Sequence, residues 1–407
     1  MLFVGLLLLI TILALLLVAS WKCKCFFPVV VALIIQITLA SIILNTIGFQ
    51  GDAGGYFTQA TGIYDQWSQG QIASNPQTLG RMSILWLIAG LYLLTGPNVA
   101  FALVLLCTLV AFVPLLVCLA TREFGFERAS IFAAWLGALS PPVLLWGSWI
   151  QRESLTFPLL ALALWGVSRV YRGATLSGAG IGCCSVGLLV ISRPQLIAAV
   201  AVGLVAAQLL SRCNSLSTYL RRTLGTSLLA AIMMAIFLWT PSSEIVLDAD
   251  LRQAEMSSNA DPSQNTAIAP APSSPAPSSP APSSPAPSSP VTVTVAPPLV
   301  SPLEIELPTE VVSRLPLAMF GPFPNQWKDR SWTIIGLDGL AWLLLTLGAI
   351  YLVVRHRDTR RMTAICSAMA LVIFLGLALM LSNYGLGMRV RAHAWIVMIP
   401  IAAVMLF

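Results

Sequence analysis

Asp52 stands in the stretch GFQGDAGGYFTQATGIYDQW (48–67), directly after an apolar run that ends near residue 47. A carboxylate one helical turn beyond the hydrocarbon can align and deprotonate a hydroxyl at a membrane surface. Alone, Asp52 also reads as a helix N-cap, because Asp is a preferred capping residue and Gly54 and Gly55 suit a helix entry. The placement of other polar groups favours chemistry. Arg81 precedes a short apolar stretch, Arg152 and Glu153 precede another, and Arg193 separates two in ISRPQL. Lys328, Asp329 and Arg330 open the run that holds Asp338, while Asn383, Arg389, Arg391 and His393 come just before the last. Guanidinium and ammonium groups bind phosphate oxygens and stabilise charge on a phosphate leaving group. Such a rim suits a reaction between a lipid-anchored phosphate and a hydroxyl, with Tyr56 close by. Snorkelling toward head groups would by itself account for about half of the arginines.

The elements that must hold these groups are membrane helices. Of the 407 residues, 57% are hydrophobic and 9% charged, far from soluble composition. The expected class is therefore all-α, a polytopic helical bundle. A net charge of +6 fits basic residues held in cytoplasmic loops better than nucleic acid, since no basic cluster is interleaved with aromatics. The eight cysteines lie in or beside apolar runs and outline no disulfide framework. With two histidines and no Cys or His pair at ligand spacing, no metal site is expected; the cofactor is left open, a divalent cation being possible but not indicated.

Eleven runs are long enough to span: 1–20, 28–47, 98–120, 129–147, 154–171, 174–192, 195–211, 223–240, 334–354, 362–381 and 392–407. Met82 to Thr95 is as apolar but would reach only about 21 Å, which predicts an interfacial or re-entrant helix over 82–95. Charge gives the same answer. If that stretch does not span, thirteen basic residues fall on one face against Glu123, Glu127 and Asp358, and the other face keeps nine basic and thirteen acidic. The positive-inside rule makes the first face cytoplasmic, with the N-terminus outside and the C-terminus inside. Residues 1–20 could serve as a signal anchor, and no small-residue cleavage site precedes Lys22.

The chain accordingly divides into three regions: a membrane domain over residues 1–240 with its first external loop at 48–81, an external segment over 241–333, and a three-helix membrane segment over 334–407. Within the external segment APSSP repeats four times (271–290), the composition of a disordered or polyproline-like tether. The stretch beginning PLEIELPTE reads as ordered, with Leu303, Ile305 and Leu307 alternating with Glu304 and Glu306. Tyr56, Ile63 and Trp67 recur at helical spacing and would let their helix lie along the membrane surface.

The order of GDAGGYFTQA, LYLLTGPN, ALSPPVLLWGSWIQRESLTFPLLALAL, SRPQL, GPFPNQW and SNYGLGMRVRAH resembles the GT-C superfamily of membrane glycosyltransferases, especially the branch similar to bacterial protein O-mannosyltransferases and aminoarabinose transferases. The resemblance implies catalytic carboxylates at Asp52, in the first external loop, and at Glu153, after the Ser-Pro segment. It implies a polyprenyl-phosphate sugar donor, an acceptor hydroxyl on a glycan, lipid or protein, and an active site on the non-cytoplasmic face of a plasma (inner) membrane. The family's acidic motif is often two adjacent carboxylates, whereas Asp52 stands alone. The expected activity is sugar transfer with inversion. The alternatives are a flippase or exporter of lipid-linked sugars, for which repeated halves, broken helices or mid-membrane charges would speak, and a polymerase of lipid-linked glycans.

Overall fold

The computed structural model describes residues 2–46, 52–71, 79–211, 216–239, 315–316, 318–321, 330–380 and 384–407, all of it helical or in short connections, with no strand among the described residues. Fifteen helices are distinguished: α1 (Leu2–Lys22), α2 (Phe26–Thr46), α3 (Asp52–Ser68), α4 (Leu79–Thr95), α5 (Val99–Val110), α6 (Phe112–Glu123), α7 (Glu127–Leu139), α8 (Pro141–Gly147), α9 (Glu153–Arg172), α10 (Thr175–Val190), α11 (Gln195–Leu210), α12 (Leu216–Trp239), α13 (Arg330–Arg355), α14 (Arg360–Met380) and α15 (Tyr384–Leu406). This is an all-α bundle of a multi-pass membrane protein. Among the described residues seven helices are long and apolar enough to cross a bilayer, or eight if the bent pair α7–α8 is one span. The APSSP repeats and the 303–307 alternation lie outside the described residues.

Prolines set the breaks. α5 and α6 form one apolar stretch of 25 residues, interrupted only at Ala111. Pro114 explains the interruption, because its ring clashes with the carbonyl four residues back, at Val110, and it offers no N–H to bond there. Ser140, Pro141 and Pro142 bend α7 against α8 by 46°, so the unbroken helix expected over 129–147 is in fact broken. α10 and α11 have 16 residues each, about 24 Å, which is shorter than a hydrocarbon core of about 30 Å.

Side-chain bonds identify the two ends of the bundle. Arg122 at the end of α6 donates to the Cys23 carbonyl between α1 and α2 at 2.8 Å, and Arg172 at the end of α9 pairs with Glu123 at 3.1 Å. The loop with His356 and Asp358 meets Phe126 and Val404 at that same end. This basic end is opposite to the start of α9. α2 leaves it and α5–α6 return to it, so the intervening segment with α3 and α4 begins and ends at the far end and makes no net crossing. α4 therefore does not reverse the direction of the later helices.

α3 and α4 form a hairpin. Tyr56 and Ile63 are buried in one cluster with Ile88 and Tyr92, and Tyr92 meets the rings of Phe57 and Tyr64 edge-on at 6.4 and 6.3 Å. The apolar stripe of α3 is thus covered by α4 rather than laid on lipid. α9 and α10 pack backbone to backbone. A Cβ on Gly178 would sit 2.7 Å from the Gly166 carbonyl oxygen and 2.7 Å from the Val170 nitrogen, so only glycine permits the approach. A Gly178→Val variant is expected to lose about 1–3 kcal/mol of stability from overpacking. Gly180→Val, whose Cβ meets nothing within 4 Å, is expected to be neutral. Thermal unfolding of both in detergent measures the difference.

Candidate functional site

Two breaks in the helices and the first half of α15 build the site at the far end of the bundle. The chain leaves α8 at Gly147 and re-enters helix at Glu153, with Arg152 at the N-cap position of α9. Ser154 holds the break in shape by donating its hydroxyl to the Trp149 carbonyl at 2.6 Å. α10 ends at Val190, and the Arg193 amide still reaches back to the Leu189 carbonyl at 2.7 Å before Pro194 restarts the chain as α11. Pro194 has no N–H to continue α10, and this interruption leaves Arg193 at the rim instead of within a helix. The third contribution is the first half of α15, where Arg389 and His393 are one turn apart and share a face.

These pieces converge. The Arg193 guanidinium pairs with the Glu153 carboxylate, and both side chains are buried, at 4% and 2% exposure. Arg152, Arg389 and His393 also act electrostatically on Glu153, and Tyr56 of α3 acts on Arg193. Burial pushes the Arg193 guanidinium down from its ordinary value and the Glu153 carboxylate opposes that. Among the described residues the cluster holds three guanidinium groups and one carboxylate. Arg193 Nε has no acceptor among the described residues.

His393 is fully buried and fixed on both nitrogens. Its Nδ1 lies 2.9 Å from the Arg389 carbonyl, which can only accept, so Nδ1 carries the proton of the neutral ring. Nε2 then accepts from the Thr156 hydroxyl at 2.8 Å. The ring also meets Phe157 edge-on at 4.9 Å. Arg389 stacks over Trp146 of α8 at 4.7 Å, a cation–π contact that ties the bent α7–α8 pair to the cluster.

A narrow cleft of about 30 Å³ lies beside these groups. Arg193 and His393 line it together with Leu196 of α11, Val372, Ile373 and Leu377 of α14, and Val390 of α15. Cationic and apolar side chains thus line the same cleft.

Of the candidates named from sequence, Glu153, Arg152, Arg193, Arg389, His393 and Tyr56 come together. Arg391 takes a different position: it is buried at 1% exposure, donates to the Gly321 carbonyl and places Nε 3.1 Å from Asp338. Two residues along α15, it projects about 200° from Arg389. Asp52 is the first residue of α3 and one turn ahead of Tyr56, which puts the two positions on one helix face. The side chains of Asp52, Arg81 and Arg330, and all of Lys328 and Asn383, lie outside the described residues. Thr156 and Trp146 were not legible as site residues, because nothing local distinguishes them from other residues of apolar helices. No group of His, Cys, Asp or Glu among the described residues could hold a metal ion. No protein-family model, no curated protein and no solved structure matches this chain.

Removing one member of a buried pair leaves the other uncompensated, at a cost of about 3–5 kcal/mol. Glu153→Gln should therefore lower thermal stability sharply. The double variant Glu153→Leu with Arg193→Leu should recover most of the loss. Unfolding midpoints in one detergent compare the three proteins.

Proposed function

We propose that the protein is a membrane glycosyltransferase that moves a sugar from a polyprenyl-phosphate carrier to an acceptor hydroxyl on the non-cytoplasmic face. The observation that carries this reading is the buried cationic excess beside an apolar cleft. Three guanidinium groups surround one carboxylate, and the excess persists if the Asp52 carboxylate joins them. Buried charge of one sign is costly without a counterion, so the arrangement favours an anionic ligand. The apolar wall of the cleft selects an anion on a lipid over a soluble phosphate.

In this mechanism Arg152, Arg193 and Arg389 hold the phosphate oxygens. The acceptor oxygen attacks the anomeric carbon from the side opposite the phosphate, and the carbon–oxygen bond to the phosphate breaks. Both electrons of that bond leave on the polyprenyl phosphate, whose charge the guanidinium groups stabilise. Asp52 takes the acceptor proton. Glu153 keeps Arg193 in place, and Thr156 does the same for His393. The attack from behind inverts the anomeric centre.

The finer topology belongs to the same proposal. Eleven crossings, with α3 and α4 on the outside, put the arginine-rich end in the cytoplasm and the cluster outside. The thin α10 and α11 then lie where the bilayer is locally narrowed or where neighbouring helices enclose them. A cysteine introduced at Gln71, after α3, should react with a membrane-impermeant maleimide in intact cells, and one at Arg357 only after permeabilisation. The reverse pattern would invert the protein and remove the outer-face site.

Asp52→Asn should lower transfer from a labelled polyprenyl-phosphate sugar by about 10²–10⁴-fold while insertion and carrier binding persist. Full activity in that variant would take Asp52 out of the mechanism. The broken α7–α8 helix is the one feature that favours an exporter of lipid-linked sugars instead. Detergent solution separates the two, because transport has no meaning without two compartments and group transfer does not need them.

A further inference from the structure

Arg391, Asp338 and the residues just before α13 make a second polar assembly, separate from the Glu153 cluster. Ala318 is buried in the main core at 1% exposure, and Met319 and Phe320 pack against that core. The Gly321 carbonyl accepts from Arg391 Nη1, and Arg391 Nε faces Asp338 Oδ2 at 3.1 Å. The Phe320 carbonyl passes so close to Gly339 that a Cβ there would collide with it. The inner end of the external segment is therefore a strap, seated between α13 and α15 by one arginine and one glycine.

Helix register links the strap to the anion site. Asp338 and Trp342 are one turn apart on α13, and Arg391 and Trp395 one turn apart on α15. The two tryptophan rings meet edge-on at 5.7 Å, and Trp342 meets Phe374 of α14 at 4.9 Å. On the other side of α15, Arg389 and His393 face Trp146, Thr156 and Glu153. A helix held on one side by the strap cannot turn without displacing both groups on the other. A rotation of 20° at a side-chain radius of about 6 Å would move them by about 2 Å, enough to break hydrogen bonds confined to about 2.7–3.2 Å.

We infer that Asp338, Arg391 and the Gly321 carbonyl are positioning groups: they lock the rotation of α15, so that docking of the external segment sets the geometry of the anion site. Arg391 acts through α15 and not on the ligand. The consequence for ligand binding rests on the proposed function; the locking of α15 does not.

Two variants test the inference by different routes. Gly339→Ala displaces the strap sterically and leaves every charge in place. Asp338→Asn removes the charge partner and leaves the backbone approach intact. Three readouts are needed: tryptic cleavage after Arg314, amide hydrogen exchange across 389–393, and binding of decaprenyl phosphate in detergent micelles. Both variants should speed cleavage and raise exchange at 389–393 by about tenfold. Both should weaken decaprenyl phosphate by about tenfold, the size of coupling carried through packed helices. Faster cleavage with exchange and binding as in the parent protein would overturn the inference, leaving the strap a local anchor. Unchanged cleavage would also overturn it, and so would tighter binding in Asp338→Asn, which would make Arg391 a ligand contact. If the parent protein binds no decaprenyl phosphate while exchange at 389–393 rises in both variants, the locking of α15 stands and the glycosyltransferase reading falls.

Discussion

The pair of Glu153 with Arg193 is the constraint on which the far end of the bundle depends. Each member stands at a helix interruption, one after the bent α7–α8 pair and the other at the proline that separates α10 from α11. A helix interruption in a membrane protein leaves backbone groups without partners, and such groups are tolerated only where protein surrounds them. Joining two interruptions through a buried ion pair meets that condition and brings two separate stretches of the chain together. The remaining members, Arg152, Arg389 and His393, then cluster around a charge that is already fixed. Replacement by apolar groups would serve stability as well or better, since a buried pair seldom outweighs its own desolvation. A cluster with this many cations therefore speaks for ligand binding more than for holding the fold.

The last membrane helix carries two duties on opposite faces. Arg389 and His393 belong to the Glu153 cluster, and Arg391, between them in sequence, belongs to the strap. Alternation of this kind is natural on a helix, where residues two apart point to nearly opposite sides. The end of the external segment is seated on α15, and α15 is stiff between two sets of ring contacts. The tight approaches at Gly178 and Gly339 are of the same kind: backbone meets backbone where a single methyl group would not fit.

Membrane character and the gathering of basic residues at one end were legible in the sequence. They follow from two rules with large energies behind them, the cost of unsatisfied backbone in hydrocarbon and the sidedness of lysine and arginine. The short apolar stretch from Met82 was recognisable by length alone. The bend at Ser140 was written in the sequence as well, in the two prolines after it, though apolar length masked it. The cover that α4 gives to Tyr56 and Ile63 was not legible, because an amphipathic stripe does not say whether lipid or a neighbouring helix will meet it.

For the site, residue type and depth along each helix sufficed to gather Tyr56, Arg152, Glu153, Arg193, Arg389 and His393 at one rim. Which of them face each other was decided only in the folded chain. Pairing of Glu153 with Arg193 over Arg152, assignment of Arg391 to Asp338, and the placing of Thr156 on His393 each depend on the rotation of helices about their axes. Rotation is set by packing between helices distant in sequence, such as α9 against α11 and α15 against α13. Hydrophobic periodicity determines that a helix crosses, and charge determines which way. The direction in which a single guanidinium points is a property of the whole bundle.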